Sequence, residues 1–305
     1  MNKISIGNNL VVPSVSLGCM SITSLDDVGR KNIINTALEN DINFFEHANI
    51  YGGGLCEFLF AETIANMGIN REDIILQSKC GIRKGVGYDS SKEHILTSVD
   101  ESLKRLNTEY LDSLLIHRPD ALVEPEEVAE AFDILNTSGK VRNFGVSNHN
   151  PYQIELLKKY CNVDLSINQL QLSITESGMI DAGINVNMKV NEGIDRDGGI
   201  LDYCRLNDIT IQAWSPFRYG FFEGIFIDSD KYPELNNKLQ EVADRYGVTK
   251  ISIAVSWILR HPAKIQVVVG TMKPQRLKDI VKGSDITLTK QEWYDIYRAS
   301  GKKLP

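Results

Sequence analysis

The stretch Phe44-Phe45-Glu46-His47-Ala48-Asn49-Ile50-Tyr51-Gly52-Gly53-Gly54 sets a carboxylate at the end of a short apolar run. A phenol follows five positions later, ahead of three glycines. This reads as a buried strand passing into a turn, so Glu46 and Tyr51 can share a pocket. Lys79 and His117 stand at the ends of two later strand-like runs. A free tyrosine titrates near about pH 10, too high for acid–base work at neutral pH. A lysine ammonium beside it stabilises the phenolate, and a carboxylate holds that lysine charged and oriented. An imidazole orients a carbonyl oxygen and shares the proton relay. Together these groups protonate a carbonyl as it becomes an alkoxide. No side chain donates hydride, so the electron pair comes from elsewhere. The face of Trp214, with Ser147, Asn148 and Gln169 able to bond a carboxamide, suits a flat nicotinamide ring.

Positioning these groups falls to a repeating pattern. Residues 3–12 alternate apolar and polar around Gly7-Asn8-Asn9 and predict a small hairpin. Strands are then expected at 14–17, 43–45, 73–78, 110–116, 142–146, 165–170, 210–213 and 266–269. Helices are expected between them at 24–39, where Ser24 and Asp27 fit a capping box, and at 56–66, 91–106, 125–137, 151–160, 199–206, 233–260 and 274–281. A last helix, 290–300, lies outside the alternation. Eight strand–helix units favour α/β architecture of the closed (β/α)8 TIM-barrel kind, in one domain spanning 1–305. No glycine fingerprint of an open dinucleotide-binding sheet follows any strand. In a barrel the reactive residues sit where strands end, which collects Glu46, Lys79, His117, Ser147, Asn148, Gln169, Trp214, Ser215, Gly270 and Thr271 at one mouth. Taken singly, a strand-end Lys or His is more often solvated or structural, a Ser-Asn pair is usually a turn, and Trp214 could be core. Their convergence makes the case. The long loops 172–198 and 215–232 rise over the same face, the second carrying Phe217, Tyr219, Phe221, Phe222 and Phe226.

The 305 residues are 42% hydrophobic with a net charge of −7, which argues against a nucleic-acid surface. The apolar run 251–259 is interrupted by serines and too short for a bilayer. Five scattered cysteines and no signal-peptide core point to reduced thiols in the cytoplasm. The five histidines show no HxH or HExxH spacing, which sets aside a metal-dependent barrel hydrolase and leaves no metal site expected.

At these residues the chain resembles the aldo-keto reductase superfamily, from Ser14 to about Val281, and most nearly its monomeric bacterial branch of general oxidoreductases. The matching motifs run in order: Phe45-Glu46-His47-Ala48-Asn49-Ile50-Tyr51-Gly52, Gln77-Ser78-Lys79-Cys80-Gly81, Leu115-Ile116-His117-Arg118-Pro119-Asp120, Gly139 to Asn148, Asn168-Gln169, Ala213-Trp214-Ser215-Pro216 and Val269-Gly270-Thr271. The resemblance implies an NADP(H)-dependent carbonyl reductase acting on a small molecule as a monomer. It implies Tyr51 as proton donor, Lys79 as its pKa partner and His117 as the substrate-orienting group. Ser147, Asn148 and Gln169 would hold the carboxamide and Trp214 stack on the ring. Ser215 and Phe217 would lie along the pyrophosphate, Arg276 would match the adenosine-phosphate position, and Gly270 would also belong to the cofactor site. Two positions depart from the pattern: Glu46 replaces the usual aspartate, and Asp279 and Ile280 stand where an asparagine near the adenine is usual. The added methylene moves the carboxylate by roughly 1 Å, a scale that can cost on the order of 100-fold in rate. The competing reading is a nicotinamide-nucleotide-binding redox sensor or regulatory protein with impaired catalysis.

Overall fold

The computed structural model describes residues 2–7 and 10–304. Eight parallel strands close into a barrel: β1 (Val15–Gly18), β2 (Phe44–Glu46), β3 (Ile75–Cys80), β4 (Ser113–Ile116), β5 (Phe144–Ser147), β6 (Leu165–Gln171), β7 (Thr210–Trp214) and β8 (Ile265–Val269). Each strand pairs with its neighbours in sequence, and β8 returns to β1 through Val267↔Val15. The described helices are α1 (Asp27–Glu39), α2 (Leu55–Met67), α3 (Lys92–Leu106), α4 (Pro125–Thr137), α5 (Pro151–Lys158), α6 (Gly178–Ile184), α7 (Ile200–Leu206), α8 (Pro233–Tyr246), α9 (Lys250–Leu259), α10 (Pro274–Ser284) and α11 (Lys290–Ala299). Among the described residues no helix is long and apolar enough to cross a membrane.

The period-2 alternation of the strands sorts their side chains. Outward residues such as Leu17, Phe45, Leu76, Leu114, Ile116, Val146, Ile211, Ala213, Val267 and Val269 join the main apolar core. Inward residues form tiers. At the base, Phe44, Leu115 and Ile167 pack against Ile6 and Val12. Those two come from the antiparallel hairpin Lys3–Ile6/Leu10–Pro13, which plugs the barrel floor; its expected Asn8-Asn9 turn lies outside the described residues. Interleaved with them is a polar tier of Gln77, Ser113, Gln212 and Gln266, fully buried and joined by hydrogen bonds. Only glycine fits at position 145, since a Cβ there would stand 2.5 Å from the Ile167 carbonyl.

Four expectations are corrected. Asp26, not Ser24, caps α1, its side chain accepting from the Gly29 N–H; Ser24 ends a short 3-10 turn, Ile22–Ser24. The stretch 233–260 is two helices, because Gly247 adopts φ +64° and closes α8 before α9 begins. The 172–198 loop carries α6, and the 215–232 loop carries a small hairpin, Arg218–Tyr219/Gly224–Ile225. A further hairpin, Ile82–Arg83/Gly87–Tyr88, follows β3.

Candidate active site

The top inward tier holds the candidate reactive groups. Glu46 closes β2, and Lys79, two residues above inward Gln77, enters the barrel from β3. Tyr51 returns to the same place because the chain turns at Ala48–Tyr51, where the Tyr51 N–H donates to the Ala48 carbonyl at 3.0 Å, and a second sharp turn then leads into α2. Gly52, Gly53 and Gly54 have φ of 58°, 66° and 92°, and the last then starts α2. Three successive left-handed residues are open to glycine and costly for other residues.

Lys79 Nζ touches the Glu46 carboxylate and donates to the His47 carbonyl at 2.9 Å and to the Tyr51 hydroxyl oxygen at 2.9 Å. The Tyr51 hydroxyl in turn donates to Glu46 Oε1 at 3.2 Å. The sequence suggests that Glu46 acts on Tyr51 at one remove, through Lys79; the longer side chain also reaches it directly. Gly18 makes room, since a Cβ there would lie 3.0 Å from Glu46 Oε2. His117 follows β4, its ring edge-on to Tyr51 with centroids 6.0 Å apart. Its Nδ1 is buried without a partner among the described residues.

Burial dominates the electrostatics. It pulls the Lys79 ammonium well below its ordinary value, while the touching carboxylate favours the charged form. Burial also pushes the Tyr51 hydroxyl up, helped by the nearby Cys19 and Cys56 thiols. His117 is pulled down to about 2 by burial, then by the charges of Lys79 and Arg118. It is therefore neutral at working pH and keeps one ring N–H to donate.

Beside this cluster, Trp214 Nε1 donates to Asn148 Oδ1 at 3.1 Å, and Asn148 Nδ2 donates to Ser147 Oγ at 2.8 Å. Ser147 Oγ donates to the Gln169 carbonyl at 2.9 Å. Gln169 Nε2 donates to Gln212 Oε1 at 3.0 Å, with Glu46 Oε1 3.5 Å away, while Gln169 Oε1 has no partner among the described residues. Phe222, on the 215–232 loop, stacks on Trp214 at 6.1 Å and 24°. Asn148 and Ser215 hold left-handed φ of 59° and 53° directly after their strands, turning both loops abruptly outward. Phe217 is half-buried and bonds Phe226 through its carbonyl at 3.0 Å. Gly270 and Arg276 sit apart from the Glu46–Lys79–Tyr51 cluster, beyond β8: Gly270 is exposed, and Arg276 lies in the first turn of α10, exposed and unpaired among the described residues. Arg118 makes no pair with Asp120; that carboxylate instead accepts from the Ser90 and Leu122 backbone, each at 2.9 Å. An apolar crevice between α4 and α5, lined by Ile116, Val128 and Leu157, opens on the outer wall and contains none of this chemistry.

Strand ends alone do not point to the inward glutamines Gln77, Gln212 and Gln266, which stand deeper in the barrel. A period-2 count back from Lys79 and Trp214 reaches Gln77 and Gln212, which was the signal available.

The sequence pattern of the Aldo/keto reductase family matches residues 14–300. The chain belongs to that family. The aldo-keto reductase is 34% identical to the oxidoreductase YcsN of Bacillus subtilis and 31% identical to a 6-dehydroglucose reductase of Agrobacterium fabrum, each alignment covering all of both chains. It is thus an oxidoreductase of this family. Its fold matches that of the thermostable aldo-keto reductase Tm1743, with a TM-score of 0.78 at 24% identity over 98% of this chain and 100% of that one. It also matches an aldo-keto reductase of Bombyx mori solved with NADP, with a TM-score of 0.74 at 21% identity over 98% and 92% of the two chains.

Proposed function

We propose that this aldo-keto reductase, one barrel domain working as a cytoplasmic monomer, reduces aldehydes or ketones to alcohols with NADPH. The observation that carries the reading is the joined Glu46–Lys79–Tyr51 cluster at the barrel mouth, faced by a neutral His117. Five free cysteines fit a reducing compartment.

The site suits a nicotinamide nucleotide. Gln169 Oε1 is an open acceptor beside a half-buried Trp214 ring, and Ser147 and Asn148 are already fixed to each other and to that ring. Arg276, unpaired among the described residues and at a helix N-terminus, matches a 2′-phosphate dianion. The cofactor supplies hydride when bound. His117 donates to the substrate oxygen and fixes its direction. Tyr51 gives its proton to that oxygen as negative charge develops there. Lys79 stabilises the phenolate left behind, and Glu46 keeps the lysine in place. Arg118, half-buried beside His117 and without a partner among the described residues, favours polar or acidic carbonyl substrates. The 6-dehydroglucose reductases among the relatives make oxidised sugars a class to test.

The test mixes the protein with NADPH and nitrobenzaldehyde and follows the nicotinamide absorbance. Turnover that Tyr51→Phe abolishes supports the reading. Tight NADPH binding with no turnover across a broad aldehyde panel overturns it.

A further inference from the structure

The polar tier has a direction. Gln266 Nε2 lies 2.8 Å from the Pro13 carbonyl oxygen, at the end of the hairpin that plugs the barrel floor. A carbonyl oxygen only accepts, so the Gln266 amide must present its NH2 to Pro13 and its Oε1 inward. That Oε1 accepts from Gln212 Nε2 at 2.8 Å. The Gln212 oxygen is thereby turned the other way, where it accepts from Gln77 Nε2 at 2.8 Å and from Gln169 Nε2 at 3.0 Å. Gln77 reinforces the arrangement: its Oε1 accepts from Gln212 Nε2 at 3.0 Å and from the Ser113 hydroxyl at 2.9 Å. All four glutamines are essentially excluded from water. Reversing any amide would set donor against donor or acceptor against acceptor, with no solvent to relieve it. The polarity fixed at Pro13 thus travels up the barrel and leaves Gln169 with its NH2 engaged and its Oε1 toward the mouth.

We propose that Gln212 and Gln266 are positioning residues that lock the Gln169 amide oxygen-outward, so that the site selects a cofactor ring bearing a carboxamide N–H. This rests on the NADPH reading above. The acceptor faces a donor that the carboxamide has and an acetyl group in its place lacks.

The experiment compares the Kd of NADPH with that of its 3-acetylpyridine analogue by tryptophan fluorescence quenching, in wild type, Gln169→Met, Gln212→Met and Gln266→Met. Wild type should favour the carboxamide by roughly tenfold, the worth of one hydrogen bond, and all three variants should lose most of that preference. A general packing defect would weaken both dinucleotides alike and leave their ratio unchanged. Circular dichroism selects the folded variants, and either Gln212→Met or Gln266→Met suffices. A folded variant that keeps the wild-type ratio overturns the inference while leaving the cofactor reading intact. A wild type that binds neither dinucleotide overturns the cofactor reading and this inference with it.

Discussion

The Tyr51 hydroxyl donates directly to the Glu46 carboxylate at 3.2 Å while accepting from Lys79 at 2.9 Å. The proton proposed to pass to substrate is therefore held, without substrate, by a carboxylate. Glu46→Asp withdraws that competitor by roughly 1 Å, the length of one methylene. The expected outcome is an unchanged or raised kcat, measured at saturating NADPH. A collapse of kcat would mean that the pocket has been shaped around glutamate.

Gly18 and Glu46 should be energetically coupled. Gly18→Ala brings a methyl to 3.0 Å from Glu46 Oε2 and 3.3 Å from Val268, so the longer carboxylate must move. A fall in kcat is expected, with partial recovery in the double variant Gly18→Ala/Glu46→Asp. Additive losses in the double-mutant cycle would show that the two do not communicate.

Arg276 should set cofactor choice. Arg276→Ala is expected to raise KM for NADPH by about tenfold, one charge-assisted contact, while leaving KM for NADH unchanged. Equal KM values for the two cofactors in the wild type, unmoved by the substitution, would remove Arg276 from the site.

His117 should leave no limb in the pH–rate profile. Its folded pKa of about 2 keeps it neutral throughout the assay range. The kcat/KM profile from pH 5 to 8 should therefore lack a deprotonation step that vanishes in His117→Gln. Such a step near pH 6.5 would show that the ring is charged in the free enzyme.

Acid stability provides a separate check. His47 is fully buried with both ring nitrogens unpartnered among the described residues, and burial lowers it from 6.5 to about 3. Between those values the unfolded chain binds the extra proton. The stabilisation is complete above pH 6.5 and is lost as pH falls toward 3, at up to about 1.4 kcal/mol per pH unit. Thermal melts from pH 7 to 4 should show this slope, and His47→Leu should reduce it by one proton. An unchanged slope would mean that His47 is not the group titrating.

The barrel was legible because eight short apolar runs alternate with helix-length segments, several of them strongly amphipathic, such as Lys92–Leu106. The signals that failed were local. Ser24 and Asp27 have the spacing of a capping box, but Asp26 lies nearer the helix and reaches the Gly29 N–H. The 233–260 stretch is apolar-periodic throughout, and Gly247 breaks it with a left-handed turn that periodicity does not register. At the site, strand ends located Glu46, Lys79 and His117. The direct Glu46–Tyr51 bond was not legible, because it depends on how far the Ala48–Tyr51 turn brings Tyr51 back toward the barrel. Nor was the Phe222 cover over Trp214, which is set by the fold of a loop.

The amide column also bears on how the barrel closes. Gln77, Gln169, Gln212 and Gln266 belong to β3, β6, β7 and β8, and they recognise one another only when those strands meet in one alignment. An aliphatic interior would tolerate a barrel shut two residues out of step, since one branched side chain replaces another. Here such a slip strands several amides against hydrocarbon. The column acts as a registration key: an off-register barrel is penalised before any cofactor is present to judge it.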